Sequence, residues 1–285
     1  MNVFCEESSV RFAGIDRSDT LSIASIFDIF QEAAISHAEI LGVGREAMKQ
    51  SGHVWILSRL SVFMKSRPKY GEKIITRTWP RSTNKLFAIR DYDIHLKGDI
   101  SGSEDDPLSD KAIVRGRSAW LIVDIEKRRP LRPQIAADSL PVNENMNALP
   151  GENPLGNDPP PSLQARDFSA AEPSLRRSLY SDIDYNGHVN NTRYIQWIQD
   201  ILKPEVLEKA GEIRLDINYL AEILYGETIS LFLSSINTKD IQEKKSLSEQ
   251  RPEQLTGAFA IEGRRGSGTE AVPAFRAELL IGEKP

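Results

Sequence analysis

Asp184, Asn186 and His188 put a carboxylate, an amide and an imidazole at every second position of one short stretch, Ser181-Asp182-Ile183-Asp184-Tyr185-Asn186-Gly187-His188. If that stretch is extended, period two sends the three side chains the same way. Directly after it, Val189, Tyr194, Ile195, Trp197, Ile198 and Leu202 fall on one helical face. The three polar groups therefore stand where a strand end or loop meets a helix N-terminus. N–H groups of a first helical turn lack intrahelical partners, and the helix dipole there favours negative charge. Such a place can hold an oxyanion. Asp and Asn ahead of a helix are also ordinary turn and cap residues, and a single His there is commonly just packed. A helix start, however, needs one cap and not three aligned polar groups.

A second stretch, Tyr219-Leu220-Ala221-Glu222-Ile223, ends an apolar run and leads toward Gly226. By residue type alone Glu222 reads as a solvated surface glutamate ahead of a turn.

The elements that must position these groups follow from the hydrophobic pattern. Residues 3–13 read as a strand and 16–20 as a turn, with Asp19 or Thr20 as a cap. Ile23, Ile26, Phe27, Phe30, Ala33, Ala34, Ile35 and Ile40 then mark a long helix ending at Gly42, so broadly apolar that a sheet must wrap it. A short helix is expected around 45–50. Strands are expected at 54–64, 73–79, 85–96 and 112–125, with an acidic loop at 98–110. Residues 131–173 are dense in proline and read as a linker, partly extended and partly mobile. The plan then repeats: a strand at 175–183, the motif, a helix to about Leu202, and strands at 213–219, 228–235, 254–262 and 275–281, with a charged loop at 239–251. Tyr70-Gly71-Glu72 reappears as Tyr225-Gly226-Glu227, and Gln31-Glu32 as Gln199-Asp200. Order and letters together indicate an internal duplication.

The chain is long enough for two domains of medium size, at 285 residues and 40% apolar content. Its 36 basic and 41 acidic residues give a net charge of −5, which carries no nucleic-acid signature. Cys5 is the one cysteine, so neither an intramolecular disulfide nor a CxxC site can form. His37, His53, His95 and His188 show no ligand spacing, so neither metal nor cofactor is expected. The start of the chain lacks the pattern of a signal peptide, and no run of 18 apolar residues suggests a membrane span. A cytoplasmic location is expected.

The longer string Ser181 to Ile198, read as S-D-I-D-Y-N-G-H-V-N-N-T-R-Y-I-Q-W-I, resembles the signature of hotdog-fold thioesterases, and specifically the acyl-acyl-carrier-protein thioesterases, bacterial relatives of the plant fatty-acyl enzymes. The resemblance implies an α+β fold of two tandem hotdog units, each an antiparallel sheet wrapped around a long helix. It divides the chain into an N-terminal unit (1–132) holding the acyl chain, a linker (133–173), and a C-terminal unit (174–285) holding the catalytic set. It implies hydrolysis of fatty acyl thioesters on acyl carrier protein, with acyl-coenzyme A hydrolysis or non-catalytic acyl binding as alternatives, and leaves a homodimer open.

By resemblance Asp184 is base or direct nucleophile, Glu222 activates or positions water, and Asn186 and His188 orient the thioester and polarise its oxygen, with N–H groups around Asn190 as helpers. The plant relatives carry a cysteine directly after this glutamate; here that position is Ile223. Asp182, Asn190 and Asn191 are assigned to bracing the turn and capping the helix. Ile26, Phe30 and Trp55 are candidates for the acyl slot. Aligning the halves sets Asp16, Ser18, Thr20 and Arg67 opposite Asp184, Asn186, His188 and Glu222, so a single active site is expected, on the second half. An acidic carrier would need a local basic surface, and the runs at 65–69 and 127–132 are candidates.

Overall fold

A computed structural model describes residues 2–100, 111–136, 140–149, 158–243, 251–266 and 271–283. After β1 (Phe4–Ser9) and one 3-10 turn (Phe12–Gly14), the chain enters α1 (Ile23–Ile40). The Ser22 hydroxyl starts this helix by accepting the Ser25 N–H at 3.1 Å. Ile23, Ile26, Phe27, Phe30, Ala33 and Ala34 are buried along it, as their spacing requires. Then come α2 (Arg45–Gln50), β2 (His53–Met64), β3 (Lys73–Asn84), β4 (Phe87–Leu96), β5 (Val114–Asp124), β6 (Arg129–Leu131) and α3 (Pro133–Ala136). The second half runs through β7 (Ser174–Arg177), a 3-10 turn (Tyr180–Asp182), α4 (Asn191–Asp200), α5 (Pro204–Glu208), β8 (Ile213–Tyr219), β9 (Thr228–Ser235), α6 (Thr238–Glu243), β10 (Leu255–Arg265) and β11 (Val272–Gly282).

The strands form one antiparallel sheet in the order β1-β3-β4-β5-β2-β8-β11-β10-β9-β7, with β6 added to β5. The order is a palindrome: each half has the arrangement of the other, and β2 meets β8 at the centre. Alternation at this seam turns Leu60, Val62, Met64, Leu215 and Ile217 toward the helices, all of them buried. It turns Ser61 and Asp216 to the outer face, where Asp216 accepts hydrogen bonds from Ser61 Oγ and from Arg214 Nε, the latter at 2.9 Å. On the inner side α1 and α4 lie against each other, and Ala24 N–H donates to Gln199 Oε1 at 2.9 Å. This is a double hotdog: two helix-and-sheet units whose sheets are continuous.

Most elements lie where the hydrophobic pattern puts them; four expectations need correction. Residues 3–13 are not one strand, because β1 stops at Ser9 and a 3-10 turn takes Phe12–Gly14. Residues 175–183 are not one strand, because β7 stops at Arg177. There Ser178 turns to the opposite loop, its Oγ donating to Leu224 O at 2.5 Å, and the chain continues into the 3-10 turn. The expected charged loop at 239–251 begins as α6, with residues 244–250 outside the described set; most of the acidic loop, 101–110, also lies outside it. The described parts of the linker are pinned rather than free. Residues 140–149 cross the outer face of the first half-sheet, where Trp79 Nε1 donates to Met146 O at 2.8 Å and Ala148 N–H to Asp91 Oδ2 at 2.9 Å. Residues 158–168 cross the second half, where Leu163 N–H meets Asn218 Oδ1 at 2.7 Å and Arg166 pairs with Glu278 at 2.7 Å.

Candidate active site

The motif is a tight turn, not an extended segment. Asp184 N–H donates to His188 O at 2.8 Å and Gly187 N–H to Asp184 O at 3.0 Å, with Gly187 in the left-handed region at φ +83°. The Asp184 carboxylate closes the turn: Oδ1 accepts the N–H of Asn186 at 2.8 Å and of His188 at 3.4 Å, while Asn186 Nδ2 lies 3.4 Å from Oδ2. An Asx-type turn, rather than strand alternation, therefore gathers the three side chains. Asp182 and Asn190 hold its two ends. Asp182 Oδ2 accepts the Leu179 N–H at 2.8 Å; Asn190 caps α4 by accepting the Thr192 N–H at 3.0 Å, and its own N–H donates to Asp182 O at 2.9 Å. Asn191 opens α4, and its carbonyl accepts the Tyr219 hydroxyl at 3.1 Å.

Glu222 stands beyond β8, brought opposite the motif by the Val189 N–H to Ile223 O bond (2.8 Å) and the His188–Leu224 bridge. His188 Nε2 and Glu222 Oε2 are 2.5 Å apart. The four expected residues thus form two pairs, Asp184 with Asn186 and His188 with Glu222. The second pair is open to solvent, with side chains 38% and 63% exposed. Tyr194 of α4, within electrostatic reach of Glu222 and Asp184, is 3% exposed and packed edge-on to Tyr219 and Phe275. Burial pushes its phenol above the usual range, against a hydrogen bond with the Ile223 backbone, and the charges of Glu222 and Asp184 raise it further. Tyr194 reads in sequence only as a member of the helical apolar face; its place in the N-N-x-x-Y part of the motif was the available signal.

The first half holds the same turn with different chemistry. Asp16 N–H donates to Thr20 O at 2.9 Å, Ser18 N–H to Asp16 Oδ1 at 2.9 Å, and Asp19 (φ +57°) takes the place of Gly187. Thr20 bridges Lys69 as His188 bridges Leu224, and Leu21 N–H meets Pro68 O at 2.7 Å as Val189 N–H meets Ile223 O. Arg67 occupies the position of Glu222 and forms a partly buried ion pair with Asp16. The carboxylate kept at this turn is thereby tied to a cation, and Thr20 stands where the other half has His188.

Of the acyl-slot candidates, Phe30 lines a narrow cavity of about 10 Å³ between α1, the first half-sheet and the start of α4. Ile26 is core, fully buried, and Trp55 belongs to a separate cluster with Val43, Met48 and Ile122, its Nε1 bonded to Val43 O at 2.9 Å. Gly116 gives Phe30 its room: a Cβ there would come within 2.5 Å of the ring.

Two fused hotdog units with one polar site at the α4 N-terminus define a class, the double-hotdog proteins. Residues 1–138 match the acyl-ACP thioesterase N-terminal domain and residues 169–269 the C-terminal domain of the same family, and the chain belongs to the acyl-ACP thioesterase family. It is 27% identical over 229 residues to the chloroplast palmitoyl-acyl carrier protein thioesterase of Cuphea hookeriana, covering 77% of this chain and 52% of that protein. The chain thus spans about half the length of the curated relatives it matches. The crystal structure of an acyl-ACP thioesterase from Bacteroides thetaiotaomicron superposes with a TM-score of 0.74 at 21% identity, covering 98% of this chain and 97% of that one. The 12:0-ACP thioesterase of Umbellularia californica superposes at 0.72 with 16% identity, covering 97% and 96%.

Proposed function

We propose that this protein hydrolyses fatty acyl thioesters carried on acyl carrier protein and releases the free fatty acid. The observation that carries the reading is the contrast between the halves: Asp184, Asn186, His188 and Glu222 gathered at α4, against Asp16 neutralised by Arg67. In this reading either a water activated by Asp184, or Asp184 itself, adds to the thioester carbon and the C–S bond breaks; in the second case water then hydrolyses the acyl-Asp184 anhydride. The departing thiol has a pKa near 8.5 and needs little protonation. The demanding steps are activating water and holding the tetrahedral oxyanion. Asp184 is fixed at the carbonyl by the N–H groups of its own turn and acts as base or nucleophile. Glu222, paired with His188, activates or positions the water, and Asn186 and His188 orient the thioester and polarise its carbonyl oxygen. The N-terminal half supplies the acyl compartment, between α1 and its sheet.

The carrier is acidic, so its dock must be basic. Arg67 is 5% exposed and tied to Asp16, which weakens the run at 65–69 as a docking surface. Arg128, Arg129 and Arg132 are exposed on and beside β6. Leu131 of β6 packs with Val43 and Met48 of the α2 region, and Arg45 of α2 stacks at 3.6 Å on the Tyr185 ring of the motif. The strip therefore lies on the side of the molecule that leads to the site.

Thiol release from acyl carrier protein and coenzyme A substrates across chain lengths tests the reading. Acyl carrier substrates should be preferred, and Asp184→Ala or Glu222→Ala should lower turnover by at least about 10²-fold. Asp16→Ala, in a folded protein, should leave turnover intact. Better turnover of coenzyme A thioesters would reassign the carrier. Hydrolysis of no thioester would make the protein an acyl-binding module, and full activity in folded Asp184→Ala would sink the catalytic assignment.

A further inference from the structure

The two half-sheets match in strand order, yet their helix-facing surfaces differ in chemistry. In the second half one row across the sheet is Leu233, Ile261, Ala277 and Ile217; its counterpart in the first half is Thr78, Tyr92, Gly116 and Val62. The next row is Phe259, Leu279 and Leu215 in the second half but Arg90, Ser118 and Leu60 in the first. The first half thus buries a polar layer where its duplicate buries apolar side chains. The Tyr92 hydroxyl meets Ser118 Oγ at 2.9 Å, and Trp120 Nε1 donates to Ser118 Oγ at 2.7 Å. Arg90, 8% exposed, reaches Thr78 Oγ1 at 3.2 Å and the His37 ring at 3.0 Å, and among the described residues no carboxylate pairs with it. An acyl compartment made for a hydrocarbon alone has no use for such a layer.

Ser118, Tyr92 and Trp120 line the cavity together with Gln31, and Asn191 and Thr192 line it on the α4 side. Gln31 breaks the symmetry of the helix pair. Its duplicate Gln199 spends Oε1 on the Ala24 N–H, at 2.9 Å. The N–H equivalent to Ala24 is that of Thr192, already held by Asn190 Oδ1 at 3.0 Å, and among the described residues the buried Gln31 Oε1 has no partner. A buried acceptor without a donor is costly unless something bound supplies one.

We propose that the acyl chain accepted by this site carries a hydroxyl group near the thioester, its O–H donating to Gln31 Oε1 and its oxygen accepting from the Tyr92–Ser118 hydroxyl pair. A saturated chain leaves Gln31 unpaired. An ionised carboxylate has no proton to donate to it. The inference rests on the thioesterase reading above and names the substrate class of that site.

The test compares kcat/KM of the wild-type protein for 3-hydroxyacyl and saturated acyl groups of equal length, both on acyl carrier protein. The 3-hydroxyacyl substrate should win by about 10-fold or more, the discrimination a site built to bond a hydroxyl exerts against its deoxy analogue. Gln31→Leu should bring that ratio close to 1; Gln31→Met, of similar length and without an acceptor, serves if the leucine variant does not fold. A wild-type preference for saturated chains, or no preference, overturns the hydroxyl assignment and leaves the thioesterase reading standing. Hydrolysis of neither overturns both. An unchanged ratio in a folded Gln31 variant removes Gln31 from the assignment.

Discussion

Asp184 spends part of its carboxylate on the backbone of its own turn, and in the proposed mechanism this has a chemical use. A carboxylate whose orientation is set by N–H donors needs no reorganisation when substrate arrives. The mechanism assigns no role to a thiol. Ile223, beside Glu222, has no acid–base capacity, and Cys5 lies in β1, packed near Val3, Trp79 and Ala148. Cys5→Ala should hydrolyse acyl thioesters at close to the wild-type rate, measured by thiol release; a loss of orders of magnitude in a folded variant would overturn the carboxylate mechanism. The four candidate groups could be named from the sequence because they lie in two short stretches. How they meet was not. Alternation suggested a strand, but a short carboxylate can bond backbone two residues on and close a turn instead. Tyr194 was hidden for a related reason: its spacing satisfies a helix face whatever its hydroxyl does.

At the scale of elements, the turn before α4 depends on one left-handed residue. Gly187 has φ +83° with open space around its Cα, so a substitution there meets backbone strain and no clash. Asp19 adopts φ +57° at the same point of the first half, so a short polar residue can stand in. Gly187→Asn should cost no more than about 1 kcal/mol of stability, and Gly187→Val clearly more, since β-branched residues resist this region; urea denaturation of the two variants checks the order. The basic strip belongs to this scale too. Reversal of Arg128 and Arg129 to Glu should raise KM for the acyl carrier substrate and flatten its salt dependence, with kcat little changed. An unaltered KM at low salt would remove β6 from the docking surface. α1, α2 and most strands were legible from periodicity. β7 was overrun because Leu175 and Leu179 continue an apolar spacing past the point where Ser178 turns away, and α6 was missed because its residues are mainly polar.

The whole molecule is held by features with little local signal. Nothing in the letters of β2 or β8 says that they pair, and the outward residues of β3, β4 and β5 read as solvent-facing polar positions. Instead Arg77, Asp91, Asp93 and Arg117 are buried beneath the linker and paired: Arg77 with Asp93 at 2.6 Å and Arg117 with Asp91 at 2.7 Å. For Asp93 burial works to raise the pKa, but hydrogen bonds from Arg77 and His95 outweigh it and hold the carboxyl below the usual range. A carboxylate depressed on folding adds stability that is fully present above the unfolded value, about 3.9, and is lost as pH falls through the folded value. Asp93→Asn should therefore cost about 3–5 kcal/mol near pH 7, the penalty of removing one partner from a buried ion pair. The difference from wild type should hold down to about pH 5 and shrink in more acidic solution. Denaturant melts across that range would show it, and a gap that widens on acidification would contradict the pairing.

The palindromic strand order has a consequence for how such a protein can change. Two identical subunits joined by their β2 strands would obey a two-fold axis, and every mutation would appear twice, once beside each site. Joining the copies in one chain ends that constraint. An arginine can then arise at the position of Arg67 without touching Glu222, and a polar layer can grow in one half while its duplicate stays apolar. The turn at Asp16 can then drift toward holding the fold together. On the proposed assignment, the site at α4 is free to draw substrate contacts from a neighbour that need not perform the reaction itself.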